Sequence, residues 1–204
     1  MTLDEALTAA PLIAIIRGVR PEHALDIGEA LIRAGIRVIE TPLNSPEPIT
    51  TITMLSERYQ GQAIIGAGTV LTPEHVDRVA DAGGRIIVTP NTDTRVIERA
   101  LKRGLTPFPG FYSPSEALLA VQAGAQRLKL FPASTAGPSH LKAVRAVLAP
   151  QTQIYAVGGV RPADWPSWRD AGAAGLGLGS DLYKPGQSAE DTYTRAREAV
   201  AHCG

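Results

Sequence analysis

Short apolar runs recur along the chain about two dozen residues apart. They are "LIAIIRG" from Leu12, "IRVIETP" from Ile36, "AIIGAGTV" from Ala63, "RIIVTP" from Arg85, "LTPFPG" from Leu105, "RLKLFP" from Arg127, "QIYAVGG" from Gln153 and "AGLGLGS" from Ala174. Most are continuously apolar rather than alternating. Strands buried on both faces read this way, as in a parallel sheet covered by helices.

Between the runs the period becomes helical. "PEHALDIGEALIRAG" carries an apolar stripe of Ala24, Leu25, Ile27, Gly28, Leu31 and Ile32. Pro21 opens it and Gly35 stops it, the usual asymmetry of helix ends. "TPEHVDRVADAGG" offers Thr72 as an N-cap before Pro73 and Gly83 beyond the end, and in "SPSEALLAVQAG" Ser113 and Gly124 play those parts. "TDTRVIERALKRG" and "RPADWPSWRDAG" complete the set. Trp165 and Trp168, three apart on the last of these, suit packing or a subunit contact better than a substrate platform.

Eight strand–helix units predict a (β/α)₈ TIM barrel near its lower size limit of roughly 200 residues. A doubly wound open sheet shares the rhythm, and the count of eight favours the barrel. No linker, low-complexity run or charge block divides the 204 residues, so a single domain over 1–204 is expected.

Charge narrows the partners. Basic and acidic residues balance at 20 each, which leaves no global field for nucleic acid or an anionic membrane. Only four of the basic residues are lysines: Lys102, Lys129, Lys142 and Lys184. Cys203 is the single cysteine, which excludes an intrachain disulfide framework. The opening "MTLDEALTAAPLIAIIRG" has acids where a signal peptide carries bases, and its apolar run is too short for a bilayer. A cytoplasmic location is the expectation.

In a closed barrel the chemistry sits at the C-terminal ends of the strands. Lys129 lies inside the sixth run, where it shares a face with Arg127 and Phe131 while Leu128 and Leu130 take the other. If the leucines face the helices, Lys129 faces the barrel mouth. Glu40 ends the second run on the face of Ile36 and Val38. A buried lysine loses its charge more readily, and its free amine can attack a ketone to form a Schiff base. Glu40 would then serve as general acid and base. The plainer alternative is a buried Lys129–Glu40 ion pair that only fixes the barrel, although such pairs are seldom an efficient route to stability. Arg17, just after the first run, suits a two-point grip on a carboxylate or an ion pair with Glu40.

The last two runs end in Gly158-Gly159 and Gly179-Ser180, where barrels commonly cradle a phosphate on backbone N–H groups. "GAGTV" at Gly66–Val70 lacks the full dinucleotide fingerprint and is discounted. His23, His75, His140 and His202 fall in predicted helices, near helix starts or in the tail, so no metal site is expected.

Taken in order, "LIAIIRG", "VIETPLNSPEP", "IIGAGTVL", "IIVTPN", "LKLFPAS…GP", "AVGGV" and "GLGSDLY" resemble the class I aldolases that cleave 2-keto-3-deoxy-6-phospho sugar acids. The resemblance runs from about Pro11 to Ala201. "VIETPLNSP", "AVGGV" and "GLGSDLY" look like the galactonate branch; the gluconate branch tends to show Leu-Arg where this chain has Leu43-Asn44, and Thr-Gly-Gly-Ile where it has Val157–Val160.

The resemblance implies Lys129 as the Schiff-base lysine and Glu40 as the general acid/base, working through water. It implies Arg17 and Thr69 as binders of the substrate carboxylate, with Pro90 and Phe131 lining the pocket. Gly158, Gly159, Gly179 and Ser180 look like the phosphate site, and Val157 sits where the branches differ. It further implies a homotrimer, no metal or organic cofactor, and as ligands a phosphorylated 2-keto-3-deoxy sugar acid and pyruvate. Phe111-Tyr112 in "PGFYSPSE" depart from the smaller residues of relatives, a change that bears on pocket shape. The rival readings are an aldolase or decarboxylase of unphosphorylated ketoacids and a catalytically silent barrel that binds a sugar phosphate. A metal-dependent epimerase of similar fold is disfavoured by the histidine placement.

Overall fold

Nine parallel strands, each but one followed by a helix, form a nearly closed barrel in the computed structural model, which describes Met1–Cys203. Of the expected 1–204 domain, only Gly204 lies outside the described residues. The elements are α1 (Leu3–Ala9), β1 (Leu12–Ile15), α2 (Pro21–Ala34), β2 (Val38–Pro42), α3 (Pro48–Arg58), β3 (Ile64–Gly68), α4 (Pro73–Asp81), β4 (Ile86–Val88) and α5 (Thr94–Lys102). They continue with β5 (Thr106–Phe108), β6 (Gly110–Phe111), α6 (Pro114–Gln122), β7 (Arg127–Leu130), α7 (Ala133–Arg145), β8 (Gln153–Val157), α8 (Trp165–Asp170), β9 (Gly175–Leu178) and α9 (Ala189–Cys203).

The strand order β5-β4-β3-β2-β1-β9-β8-β7-β6 is that of a barrel whose fifth strand is broken in two. "LTPFPG" therefore differs from the single expected strand. Pro109 has no N–H to give a ladder, so β5 pairs with β4 and β6 pairs with β7 on either side of it. Pro109 still contributes its carbonyl, which accepts the Lys129 N–H at 2.9 Å. The Gly110 N–H turns instead to the Thr89 hydroxyl at 3.1 Å.

Two apolar layers result. Leu12, Ala14, Ile39, Leu128 and Leu130 face the helices, whereas Ile13, Ile15, Val38, Ile64, Ile86, Phe108 and Tyr155 fill the lumen. The alternation of β7 puts Lys129 on the lumen side, as read from its leucine neighbours. Ile36 does not share the inward face of Val38. It precedes the strand, its N–H still bonded to the Leu31 carbonyl at 3.0 Å, and its side chain lies in the helix-facing layer.

The lower end of the barrel is plugged by α1, whose Ala6 and Leu7 join the lumen cluster. Its start is a reciprocal capping box: Thr2 N–H donates to Glu5 Oε2 at 2.7 Å and Glu5 N–H to Thr2 Oγ1 at 3.2 Å. Asp4 pairs with Arg127 at the foot of β7. The other caps fall where the sequence places them, with Gly35 left-handed at φ 109°, Thr72 accepting from His75 N–H, and Ser113 and Glu116 closing a second capping box. "RPADWPSWRDAG" is shorter than expected: Pro162–Asp164 make a 3₁₀ turn and α8 begins only at Trp165. Pro166 cannot donate to the turn before it, so one continuous α-helix is blocked. Both tryptophans are buried in the helix-facing layer. Among the described residues no helix is long and apolar enough to cross a membrane.

Candidate active site

β7 carries Lys129 and β2 carries Glu40 to the same end of the lumen, where they are 7% and 2% exposed. Among the described residues the two make no direct ion pair or hydrogen bond, and Glu40 Oε2 is buried without any hydrogen-bond partner. A closed structural ion pair is therefore not what holds them. Burial pushes the Lys129 amine below the ordinary lysine range, partly offset by the Glu40 charge, and Arg17 lowers it further. Burial also raises Glu40, to about 7, against the pull of Lys129 and Arg17.

The neighbours close tightly around this pair. Lys129 Nζ lies 4.5 Å from the centroid of the Phe131 ring. β3 reads Gly66-Ala67-Gly68, and a Cβ on Gly68 would stand 2.0 Å from Glu40 Oε2. One on Gly66 would stand 2.3 Å from the Ile86 carbonyl. These glycines serve close approach inside a strand, not a nucleotide loop. On β9, Gly175 and Gly177 leave room for the Tyr155 ring and Val157 in the same way.

Arg17 follows β1 and donates from Nη1 to Asn44 Oδ1 at 2.5 Å, so the β2–α3 loop steers its guanidinium. Thr69 directly follows β3 with φ 55°, a left-handed backbone that is costly for a β-branched residue. Gly158 and Gly159 are also left-handed, at φ 95° and 69°, and the Phe131 ring packs against Gly158.

A cavity of about 310 Å³ opens here, and all eleven positions nominated from the sequence line it. They are Lys129, Glu40, Arg17, Thr69, Pro90, Phe131, Val157, Gly158, Gly159, Gly179 and Ser180. Ile15, Val160, Gly177 and Asp181 also line it and were not nominated. The alternate glycines of "GLGLGS" were the available signal for Gly177; Asp181 follows Ser180 directly but reads as an ordinary loop acid. Phe111 and Tyr112 do not narrow the cavity. Phe111 is in the helix-facing layer, and Tyr112 lies outside, stacked on His140 at 5.1 Å. None of the histidines lines the cavity, and the described residues gather no three His, Cys, Asp or Glu side chains that could hold a metal.

A buried amine of lowered pKa beside a carboxyl of raised pKa, in a cavity that also holds an arginine and a glycine cradle, suits imine chemistry on an anionic ketone. The family model described as KDPG and KHG aldolase matches residues 3–197. The chain belongs to the KDPG and KHG aldolase family. Like its relatives, this aldolase is a carbon–carbon lyase. It is 50% identical over 193 residues to the 2-dehydro-3-deoxy-6-phosphogalactonate aldolase of Escherichia coli (strain K12), covering 95% of this chain and 94% of that one. A cube-shaped protein cage designed by fusing symmetric oligomeric domains matches with TM-score 0.92 and 49% identity over 94% of this chain and 71% of the cage chain. The KDPG aldolase from Legionella pneumophila, with pyruvate captured as a covalent carbinolamine intermediate, matches with TM-score 0.86 and 28% identity over 100% and 98% of the two chains.

Proposed function

We propose that this aldolase cleaves 2-dehydro-3-deoxy-6-phospho-D-galactonate to pyruvate and D-glyceraldehyde 3-phosphate through an imine on Lys129. The observation that carries the reading is Lys129 itself, buried in the lumen with its pKa lowered by that burial, beside a Glu40 of raised pKa. The 50% identity to a 2-dehydro-3-deoxy-6-phosphogalactonate aldolase supports the substrate.

The free amine of Lys129 adds to the C2 carbonyl, and Glu40 gives the proton that lets the resulting hydroxyl leave as water. The iminium so formed is an electron sink. Glu40, now a carboxylate, removes the C4 hydroxyl proton; the C3–C4 electron pair moves into the iminium, and the aldehyde departs. Protonation of the enamine at C3 and addition of water then release pyruvate and restore the amine. Arg17 and Thr69 hold the carboxylate, Pro90 and Phe131 wall the reacting carbons, and Val157 faces the region where C4 sits. Gly158, Gly159, Gly179 and Ser180 hold the phosphate through backbone N–H groups.

In this reading the barrel works as one catalytic domain and assembles as a homotrimer. Leu101, Tyr112, Leu118 and Leu119 are each at least 40% exposed around α5 and α6, an apolar surface suited to a subunit contact. The similarity to a cage chain built from symmetric oligomeric domains supports self-association. Side-by-side kinetics on the two C4-epimeric phosphates, with Lys129→Ala as control, test the proposed activity. Higher kcat/KM on the galactonate epimer supports it; preference for the gluconate epimer, or turnover that survives in Lys129→Ala, overturns it.

A further inference from the structure

The glycine cradle has a neighbour that lies far from it in sequence. Ser134, in the first turn of α7, donates its backbone N–H to the Gly158 carbonyl at 2.9 Å, which docks the start of α7 on the turn after β8. Its side chain lies directly over the next glycine. A Cβ on Gly159 would stand 2.6 Å from Ser134 Oγ and 2.8 Å from Ser134 Cβ, so the absence of a side chain at Gly159 is what lets the hydroxyl approach. Gly158 is closed off differently, by the Phe131 ring at 3.0 Å and by Pro132 Cα at 3.4 Å.

The hydroxyl is also uncommitted. Thr135, the next residue, donates its own hydroxyl to the Pro132 carbonyl at 3.0 Å. Ser134 Oγ takes no partner among the described residues and is exposed to solvent, so its O–H is free to turn towards the cradle. The cradle glycines have no side chains to offer an anion, and Asp181 lines the same cavity. An added neutral donor suits an anion here.

We infer that Ser134 is a further substrate-binding residue, its hydroxyl donating a hydrogen bond to the phosphoryl group held by the Gly158-Gly159 and Gly179-Ser180 turns. The inference rests on the proposed phosphate end of the cavity and extends it to a residue outside the strand ends. Ser134 acts on the phosphoryl group alone, since the imine forms on Lys129 and Ser134 stands over Gly159 of the cradle. Its contribution therefore appears in KM for phosphorylated substrate and not in the pyruvate half-reaction.

The test compares wild type, Ser134→Ala and Ser134→Glu in three assays: cleavage of the phosphorylated and dephosphorylated ketoacids, exchange of the pyruvate methyl protons with solvent, and calorimetric binding of inorganic phosphate. Ser134→Ala is expected to raise KM for the phosphorylated substrate and weaken inorganic phosphate about tenfold, the size of one hydrogen bond to a charged group. Its kcat, pyruvate exchange and cleavage of the dephosphorylated substrate stay within about twofold. Ser134→Glu sets a like charge against the cradle and loses roughly 100-fold on the phosphorylated substrate while keeping pyruvate exchange, which shows the barrel still folded. An unchanged KM and phosphate affinity in Ser134→Ala, or an equal loss on both ketoacids, overturns the assignment. If wild type cleaves neither epimer yet phosphate binding still weakens in Ser134→Ala, the activity reading fails and the assignment of Ser134 stands.

Discussion

Gly68 of β3 faces Glu40 of β2 so closely that a Cβ on the glycine would stand 2.0 Å from the carboxylate oxygen Oε2. Real Cβ contacts essentially never fall below 3.0 Å, and Glu40 is only 2% exposed. Gly68→Ala therefore has to displace Glu40. A shift of about 1 Å in a catalytic group costs on the order of 100-fold in rate. The expected result is a loss of that size in kcat with the fold retained by circular dichroism, and wild-type kcat in Gly68→Ala would count against Glu40 as the proton carrier.

Glu40→Gln separates catalysis from stability. In the fold the Glu40 pKa is raised from 4.5 to about 7, chiefly by burial. Between those values the folded chain keeps a proton that the unfolded chain has released, so Glu40 costs stability progressively as pH rises through that window and fully above it. Glutamine removes this loss, and the variant should melt about 3 °C or more above wild type at pH 8. Its kcat should fall by roughly 10² to 10⁴, the span of general acid–base catalysis. The Glu40 charge also raises the Lys129 pKa, so the acid limb of pyruvate imine formation should move to lower pH in the variant.

Phe131→Ala should move that limb the other way. Burial is the main cause of the lowered Lys129 pKa, and the Phe131 ring is part of the cover at 4.5 Å. Opening it to water favours the ammonium and leaves less free amine at neutrality. Imine formation at pH 7 is expected to slow about tenfold and to recover at alkaline pH. A loss independent of pH would assign Phe131 to packing alone.

Thr69 is held at φ 55°, a conformation that glycine adopts freely and that costs other residues roughly 1–2 kcal/mol. Thr69→Ala keeps the strained backbone, and Thr69→Gly relieves it. The glycine variant should be the more stable of the two by about 1 kcal/mol, or roughly 2–4 °C in Tm for a chain of this length. Both remove the hydroxyl proposed to hold the substrate carboxylate, so both should raise KM for pyruvate together. Equal Tm values would show that the turn relaxes without glycine.

The barrel was legible because its strands are buried on both faces and its helices announce their ends with Pro, Thr, Ser and Gly. The cavity-lining positions were legible because they fall at strand ends, where a lysine or glutamate in an apolar run stands out. What escaped depends on contacts distant in sequence or on local exceptions. The break at Pro109 matters only because both neighbouring strands still pair around it. α7 gave no clean period because Gly137, at φ 76°, and Pro138 interrupt it. α1 is faint in the sequence although Thr2 and Glu5 have capping-box spacing, since seven residues carry little periodicity. Asn44, Ser134 and Asp181 are exposed polar residues whose importance appears only once Arg17, Gly159 and the cavity are placed beside them.

Trapping with pyruvate and borohydride tests the central claim most directly. Lys102, Lys142 and Lys184 are exposed, and Lys129 alone faces the cavity. Reduction of the imine should leave one pyruvate-derived adduct per chain, located on Lys129 by peptide mass mapping and missing in Lys129→Ala. A folded wild-type protein that gains no adduct at saturating pyruvate, or an adduct that persists in Lys129→Ala, would contradict the account.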